Sequence, residues 1–245
     1  MLKIFLIICI LSVFGWAETK PRLTITTGFP SPESDLIETV LKEVEKRSEI
    51  IIDFDSLPNK RSLVNANLGI TDGEAARIKG IDKYYPNLFI VPSQSHAIEL
   101  IAISNQVLPL SSPKDLHNYN VGVIHGMKIA VVMAEKNKPI SLIKATDFTT
   151  LIRMLVANRL DIIIMNKTGV LFNQDKFKGH NLYLYEKPLM IRPLYMQLHK
   201  KNKAYIPRLQ SALDTMHKDG TYQNIQNNFF KAYKKELSKT LHLIH

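Results

Sequence analysis

Cysteine is almost absent: the 245-residue chain has one, Cys9, inside an apolar N-terminal run. No disulfide can staple the fold, so stability must come from an ordinary core. Also missing are a Gly-x-Ser-x-Gly elbow, a His-Glu-x-x-His helix and any cysteine nucleophile beyond residue 9. The eight histidines are scattered (His96, His117, His125, His180, His199, His217, His242, His245). These absences argue against an enzyme and against a metal or cofactor site. After the first 17 residues no stretch is apolar enough to span a bilayer.

What is present begins with that N-terminal run. Met1-Leu2-Lys3 supplies one positive charge, Ile4 to Phe14 is nearly continuous hydrocarbon, and Gly15-Trp16-Ala17 ends on small residues. This is the pattern of a secretory signal peptide cut after Ala17, so the mature chain is expected to start at Glu18 in the periplasm. Ile8 precedes Cys9 where a lipoprotein signal requires a small residue, which argues against lipidation.

Lys+Arg total 32 and Asp+Glu 22, a formal charge of +10, with 45% apolar residues. In an exported chain this excess favours small anionic ligands or an anionic membrane surface over nucleic acid, or serves as a solvated basic face. The basic residues are densest at Lys200-Lys201-Asn202-Lys203 and from Lys231 to Lys239.

The chain says one thing twice. Arg61-Ser-Leu-Val-Asn-Ala-Asn-Leu-Gly-Ile-Thr-Asp72 and Arg153-Met-Leu-Val-Ala-Asn-Arg-Leu-Asp161 share a plan: an Arg, a Leu-Val pair, a small Ala-Asn exit, then a strand holding an Asp. Two similar α/β lobes follow. Leu23–Thr27, Ile50–Phe54, Val121–Ile124 and Ile162–Met165 read as strands. Leu36, Ile37, Val40, Leu41 and Val44 mark one helical face, begun by Ser31 as cap, Pro32 at the first position and Glu33 in the first turn. Pro58-Asn59-Lys60 and Thr146-Asp147 open further helices. The strand–helix alternation predicts parallel α/β sheets.

Leu209-Gln-Ser-Ala-Leu-Asp-Thr-Met-His-Lys-Asp-Gly-Thr-Tyr-Gln-Asn-Ile225 resembles the closing segment of bacterial extracellular solute-binding proteins of the amino-acid-binding type, family 3. Val121-Gly-Val-Ile-His-Gly126 is similar to the turn that opens their second lobe. Gly69 to Pro92, with Asp-Gly-Glu-Ala-Ala-Arg-Ile and Tyr-Pro-Asn-Leu, resembles a short branch often lacking a cognate transporter. The likeness runs from about Leu23 to Tyr233.

The resemblance implies a bilobed periplasmic-binding-protein fold, two α/β lobes joined by a two-segment hinge. After the signal peptide (1–17), lobe one would hold 18–104 plus 196–245 and lobe two 105–195, with crossings at Ile101–Asn105 and Arg192–Leu198. It implies a monomer that closes on a small-molecule ligand, working with an inner-membrane transporter or sensor. The alternatives are a sensory or partner-docking protein without a transporter, and a dehydratase-like enzyme.

Strand ends and helix starts point into such a cleft, which gives candidate ligand contacts. In lobe one these are Phe29, Asp72 and Arg77, the last able to clamp a carboxylate with two parallel hydrogen bonds. In lobe two they are His125, Gly126, Met127 and Lys128 at a helix start, and Asn166, which stands where amino-acid binders place an Asp for the ligand ammonium. A neutral Asn there disfavours a standard α-amino acid, while the +10 charge, Arg77 and the helix start at Gly126 favour a small polar, anionic or carboxylate-bearing ligand.

Overall fold

The computed structural model describes residues 19–245, so the expected signal peptide and its cleavage point lie outside the described residues. The chain opens with β1 (Arg22–Thr27), α1 (Glu33–Ser48), β2 (Ile51–Ser56), α2 (Asn59–Leu68) and β3 (Gly73–Arg77). These three strands are parallel, with β1 in the middle. Helix α1 buries Leu36, Ile37, Val40, Leu41 and Val44, the predicted stripe. It starts at Glu33, and the Ser31 hydroxyl donates to Asp35 Oδ2 (2.7 Å) instead of capping a backbone amide.

A seventeen-residue strand, β4 (Leu88–Ser104), leads to the second parallel set. That set comprises β5 (Asn120–Ile124), α3 (Lys128–Lys136), β6 (Ser141–Ala145), α4 (Phe148–Val156), β7 (Ile162–Asn166), α5 (Lys167–Phe172) and the short β8 (Tyr183–Tyr185). β5 lies between β6 and β7, parallel to both. Ile163 and Met165 enter one apolar cluster while Ile162 and Ile164 enter another. The two-residue period of a strand covered on both faces explains why this segment is apolar at every position.

Strand β9 (Met190–His199) returns antiparallel to β4, followed by α6 (Ile206–Lys218), α7 (Thr221–Leu237) and β10 (His242–Ile244). The order β2-β1-β3-β9-β4-β7-β5-β6 makes β4 and β9 the shared spine of both sets. Val91 and Leu194 belong to the first core, Leu100 and Met190 pack on the second, and Ile98 touches both. On β4 the changeover therefore falls between Val91 and Leu100, ahead of the expected crossing at 101–105. Register shifts between Ile90, Gln94 and His96 mark the same stretch. Extra residues on one strand bend it and re-aim its side chains, and Pro92, which cannot donate to a ladder, sits within the first shift.

The C-terminal segment, expected with lobe one, serves both. Leu209, Leu213, Met216 and Tyr222 are in the first core, whereas Leu237 and Leu241 are in the second and β10 pairs with β8. Helix α7 thus begins on one lobe and ends on the other. Gly220, at φ 79°, supplies the left-handed break between α6 and α7 that the Asp-Gly-Thr motif predicts. Among the described residues no helix is long and apolar enough to cross a membrane.

Candidate functional site

The carboxyl ends of β1 and β3 deliver Gly28, Phe29 and Arg77 to one edge of the first set. Arg77 Nη1 donates to Asn59 Oδ1 at the start of α2 (3.0 Å), and its Cζ lies 5.9 Å from the Phe29 ring centre. Its Nε is 3.0 Å from Glu74 Oε1 on the same strand, a close ion contact without the alignment of a hydrogen bond. Glu74 is fully buried; the Gly28 amide (3.3 Å) and the Ser62 hydroxyl donate to it. Gly28 is required here, because a side-chain carbon would stand 2.7 Å from Asn59 Cα and collide with the Arg77 guanidinium. Sequence reading missed Glu74. Its signal is an acid inside the Gly-Glu-Ala-Ala strand, whose small neighbours leave no other reason for burial.

Burial pushes the Glu74 carboxyl up, more than Arg77, Ser62 and the Gly28 amide together pull it down. With the folded value above the unfolded one, this group's contribution to stability is full below the unfolded pKa and is lost as pH rises through the folded one. Glu74→Gln removes that dependence. Its Tm relative to wild type should therefore improve as pH is raised from about 4 to about 8. A Tm difference that stays constant over this range would show that Glu74 is not the titrating group.

A second polar cluster adjoins the first through an edge-on contact of Phe29 with His96 (6.2 Å). His96, at the β4 register shift, holds Glu33 Oε1 through Nε2, while its Nδ1 is buried without a partner. The other carboxylate oxygen, Oε2, accepts from Asn166 Nδ2 (3.2 Å) and from the Thr168 hydroxyl. Glu33 is on α1 of the first lobe; Asn166 and Thr168 end β7 and begin α5 of the second. Glu33, His96 and Thr168 are each at most 5% exposed. Hydrogen bonds to a charged group contribute about 1.5–3 kcal/mol each, enough for such a set to offset the desolvation of one carboxylate. Beside them Lys167 pairs with Glu99 (2.9 Å) and lies 4.2 Å from the Phe230 ring centre. The space enclosed among Glu33, Glu99, Asn166 and Thr168 is about 10 Å³, no more than one water needs.

The expected site residues divide into three groups. Phe29, Arg77 and Asn166 belong to this connected ribbon. His125, Gly126 and Lys128 are exposed at the β5–α3 turn, with Met127 packed partly on the second core, and His125 donates its amide to Ala145 O (2.8 Å). Asp72 lies elsewhere: it precedes β3, at the end opposite Arg77. Its Oδ2 accepts the Thr24 amide (2.8 Å), and Oδ1 meets Asn202 (2.8 Å) and Lys201 (2.9 Å). Burial alone would raise its pKa; the Thr24 amide, Lys201 and Asn202 outweigh that and hold it low. Asp161 does the same in the second lobe, where Oδ2 accepts the Asn120 amide at 2.7 Å. The repeated Asp is a strand tie, and Asp72 as a ligand contact is set aside. Among the described residues no group of three His, Cys, Asp or Glu could hold a metal ion.

No family model matches the chain, and no curated protein matches it. Solved structures do. A probable amino-acid ABC transporter extracellular-binding protein from Bacillus subtilis is 16% identical with TM-score 0.68, covering 85% of this chain and 97% of its own. The unliganded, open L-cystine solute receptor of Neisseria gonorrhoeae is 13% identical with TM-score 0.66, covering 87% and 94%. A histidine kinase sensor domain with similarity to periplasmic binding proteins is 12% identical with TM-score 0.59, covering 85% and 96%. At these identities the likeness is one of fold, and the fold is the bilobed periplasmic-binding-protein architecture shared by amino-acid-binding solute-binding proteins.

Proposed function

We propose that this chain is an exported solute-binding protein that closes its two lobes around a small polar, carboxylate-bearing ligand, for uptake or for sensing. The carrying observation is the ribbon Arg77–Phe29–His96–Glu33–Asn166, which joins strand ends of both lobes across the β4–β9 spine. Arg77 is the proposed anchor in lobe one, with Phe29 covering one face of the ligand. Asn166 and the helix start at Gly126–Lys128 are proposed to complete the site from lobe two. The sensing form of the reading draws on the sensor-domain likeness; gene neighbours encoding a permease and an ATPase would favour uptake. These structural neighbours are binding proteins and a sensor domain, and the protein is taken to be a non-enzyme.

The test is a thermal-shift screen of the exported protein with amino acids, mono- and dicarboxylates and phosphorylated metabolites, paired with mass spectrometry of whatever co-purifies. A ligand that binds only the folded, closed state at 100 times its Kd stabilises by about 2.7 kcal/mol, a shift of several degrees. A flat screen together with a protein that carries nothing would end this reading.

A further inference from the structure

We infer that His96, Asn166 and Thr168 form a carboxylate-binding seat that the chain fills with its own Glu33, so that its lobes close on an internal ligand and an incoming carboxylate must displace it. The inference deepens the binding-protein reading and rests on it for the premise that the lobes separate.

Four observations lead here. First, the carboxylate bridges lobes: Glu33 belongs to α1, whose stripe lies in the first core, while Asn166 and Thr168 lie where β7, built into the second core, passes into α5. Its hydrogen bonds to them span 133 and 135 residues of chain. Second, the seat is built. His96 is 1% exposed and Thr168 4%, and Asn166 Nδ2 is also 2.6 Å from Thr168 Oγ1, so the donors are held relative to each other as well as to the carboxylate. Third, the carboxylate is held by an imidazole, an amide and a hydroxyl, and Lys167, which lines the same small space, is paired with Glu99 instead. An imidazole, an amide and a hydroxyl are donors that a solute carboxylate could meet as Glu33 does. Fourth, little space is left beside it, so a solute carboxylate and Glu33 cannot both occupy the seat.

The position of Glu33 adds to this. It is the first residue of α1, where the helix dipole favours negative charge, and it follows β1 after only five residues. The loop is too short to swing the side chain far; Glu33 leaves the seat when α1 and the first lobe move away from β7. Glu33 therefore leaves the seat as the lobes separate, and lobes that close again on a solute carboxylate do so in a wider closed state, with Glu33 outside the seat.

The experiment is chemical rescue. Glu33→Ala deletes a fragment the size of acetate. Acetate, compared with chloride at the same ionic strength, should restore most of the Tm that Glu33→Ala loses, leave wild type unmoved, and fail once Thr168→Val is added. Methylammonium should rescue nothing. Glu33→Gln, which keeps the shape and places an NH2 against the donors, guards against a variant that does not fold. With spin labels on cysteines introduced by Thr39→Cys and Ile140→Cys into the chain from Glu18 onward, which has no cysteine of its own, wild-type Glu33 should give one narrow distance without ligand and Glu33→Gln a longer or broader one. Acetate acting no better than chloride on Glu33→Ala, or a Glu33→Gln distance equal to wild type, would overturn the seat. The solute screen fails independently: rescue by acetate with a flat wild-type screen leaves the seat standing and removes the solute reading.

Discussion

Arg77→Met should cost about 3–5 kcal/mol of folding stability above the pH at which Glu74 ionises, because it strands a fully buried carboxylate without its cation. Adding Glu74→Gln should return most of that loss, since the double variant buries a thioether and a neutral amide that still meets Ser62 and the Gly28 amide. The single variant should be least harmful in acid. Without Arg77 the Glu74 carboxyl, already pushed up by burial, rises further. Its stabilising contribution then persists to higher pH before it is lost, and the cost of the substitution grows with pH up to its full value. Urea unfolding of wild type, both single variants and the double variant at about pH 5 and about pH 8 gives the coupling directly. A solvent-screened surface pair would couple by less than about 1 kcal/mol. If Arg77→Met and the double variant are equally unstable, the pair is not the unit described here and Arg77 acts through Asn59 or Phe29 instead. Arg77→Lys should fall between, because an ammonium cannot reach Asn59 and Glu74 together in the planar fork's geometry.

The interaction explains what was and was not legible in the sequence. The elements with one strong period were readable: the α1 stripe, the unbroken apolar β7, the Asp147 cap, whose Oδ1 accepts the Thr150 amide at 2.8 Å, and the Gly220 break. The duplicated helix-to-strand plan was readable too, and the structure gives its reason in the paired strand ties Asp72 and Asp161. Strands β4 and β9 were not read as long continuous strands. They change cores partway, carry register shifts and contain Pro92 and Pro193, so no single period runs through them. In the proposed site, Phe29, Arg77 and Asn166 can be named from the sequence because strand ends and charge are local signals. Glu33, His96, Ser62 and Thr168 were not, because each has a satisfactory local reading: a first-turn acid, a strand histidine, a helix serine and a helix threonine. Their partners lie at sequence distances where nothing in one chain's spacing can pair them. Glu33 in particular looks like any acid favoured at a helix start until α1 is set against α5.

The second large effect concerns the tail. Leu237→Ala and Leu241→Ala should each cost about 2–5 kcal/mol, the range for removing a buried leucine side chain from a packed core. Both residues lie in the second lobe's cluster, with Phe229 and Phe230 packed against it, so together they should cost less than the sum of the two. What distinguishes them from any core truncation is where the loss is felt. The first turns of α7 remain fixed to the first lobe through Tyr222 and Ile225, whereas beyond Phe229 the segment leans on the second, and β10 adds its ladder to β8. The helix is a third connection between the lobes besides β4 and β9, and unlike those strands it crosses outside the sheet. Loosening its far end should raise amide exchange in β8 and in the Ile101–Ser104 stretch of β4 while β1 and β3 keep their protection. It should also let the lobes separate more easily, widening the distance between labels at Thr39 and Ile140 even with Glu33 intact. Equal loss of protection in β1 and β8 would mean that the two lobes unfold as one cooperative unit. An unchanged label distance would mean that the tail adds stability to the second lobe without restraining the hinge.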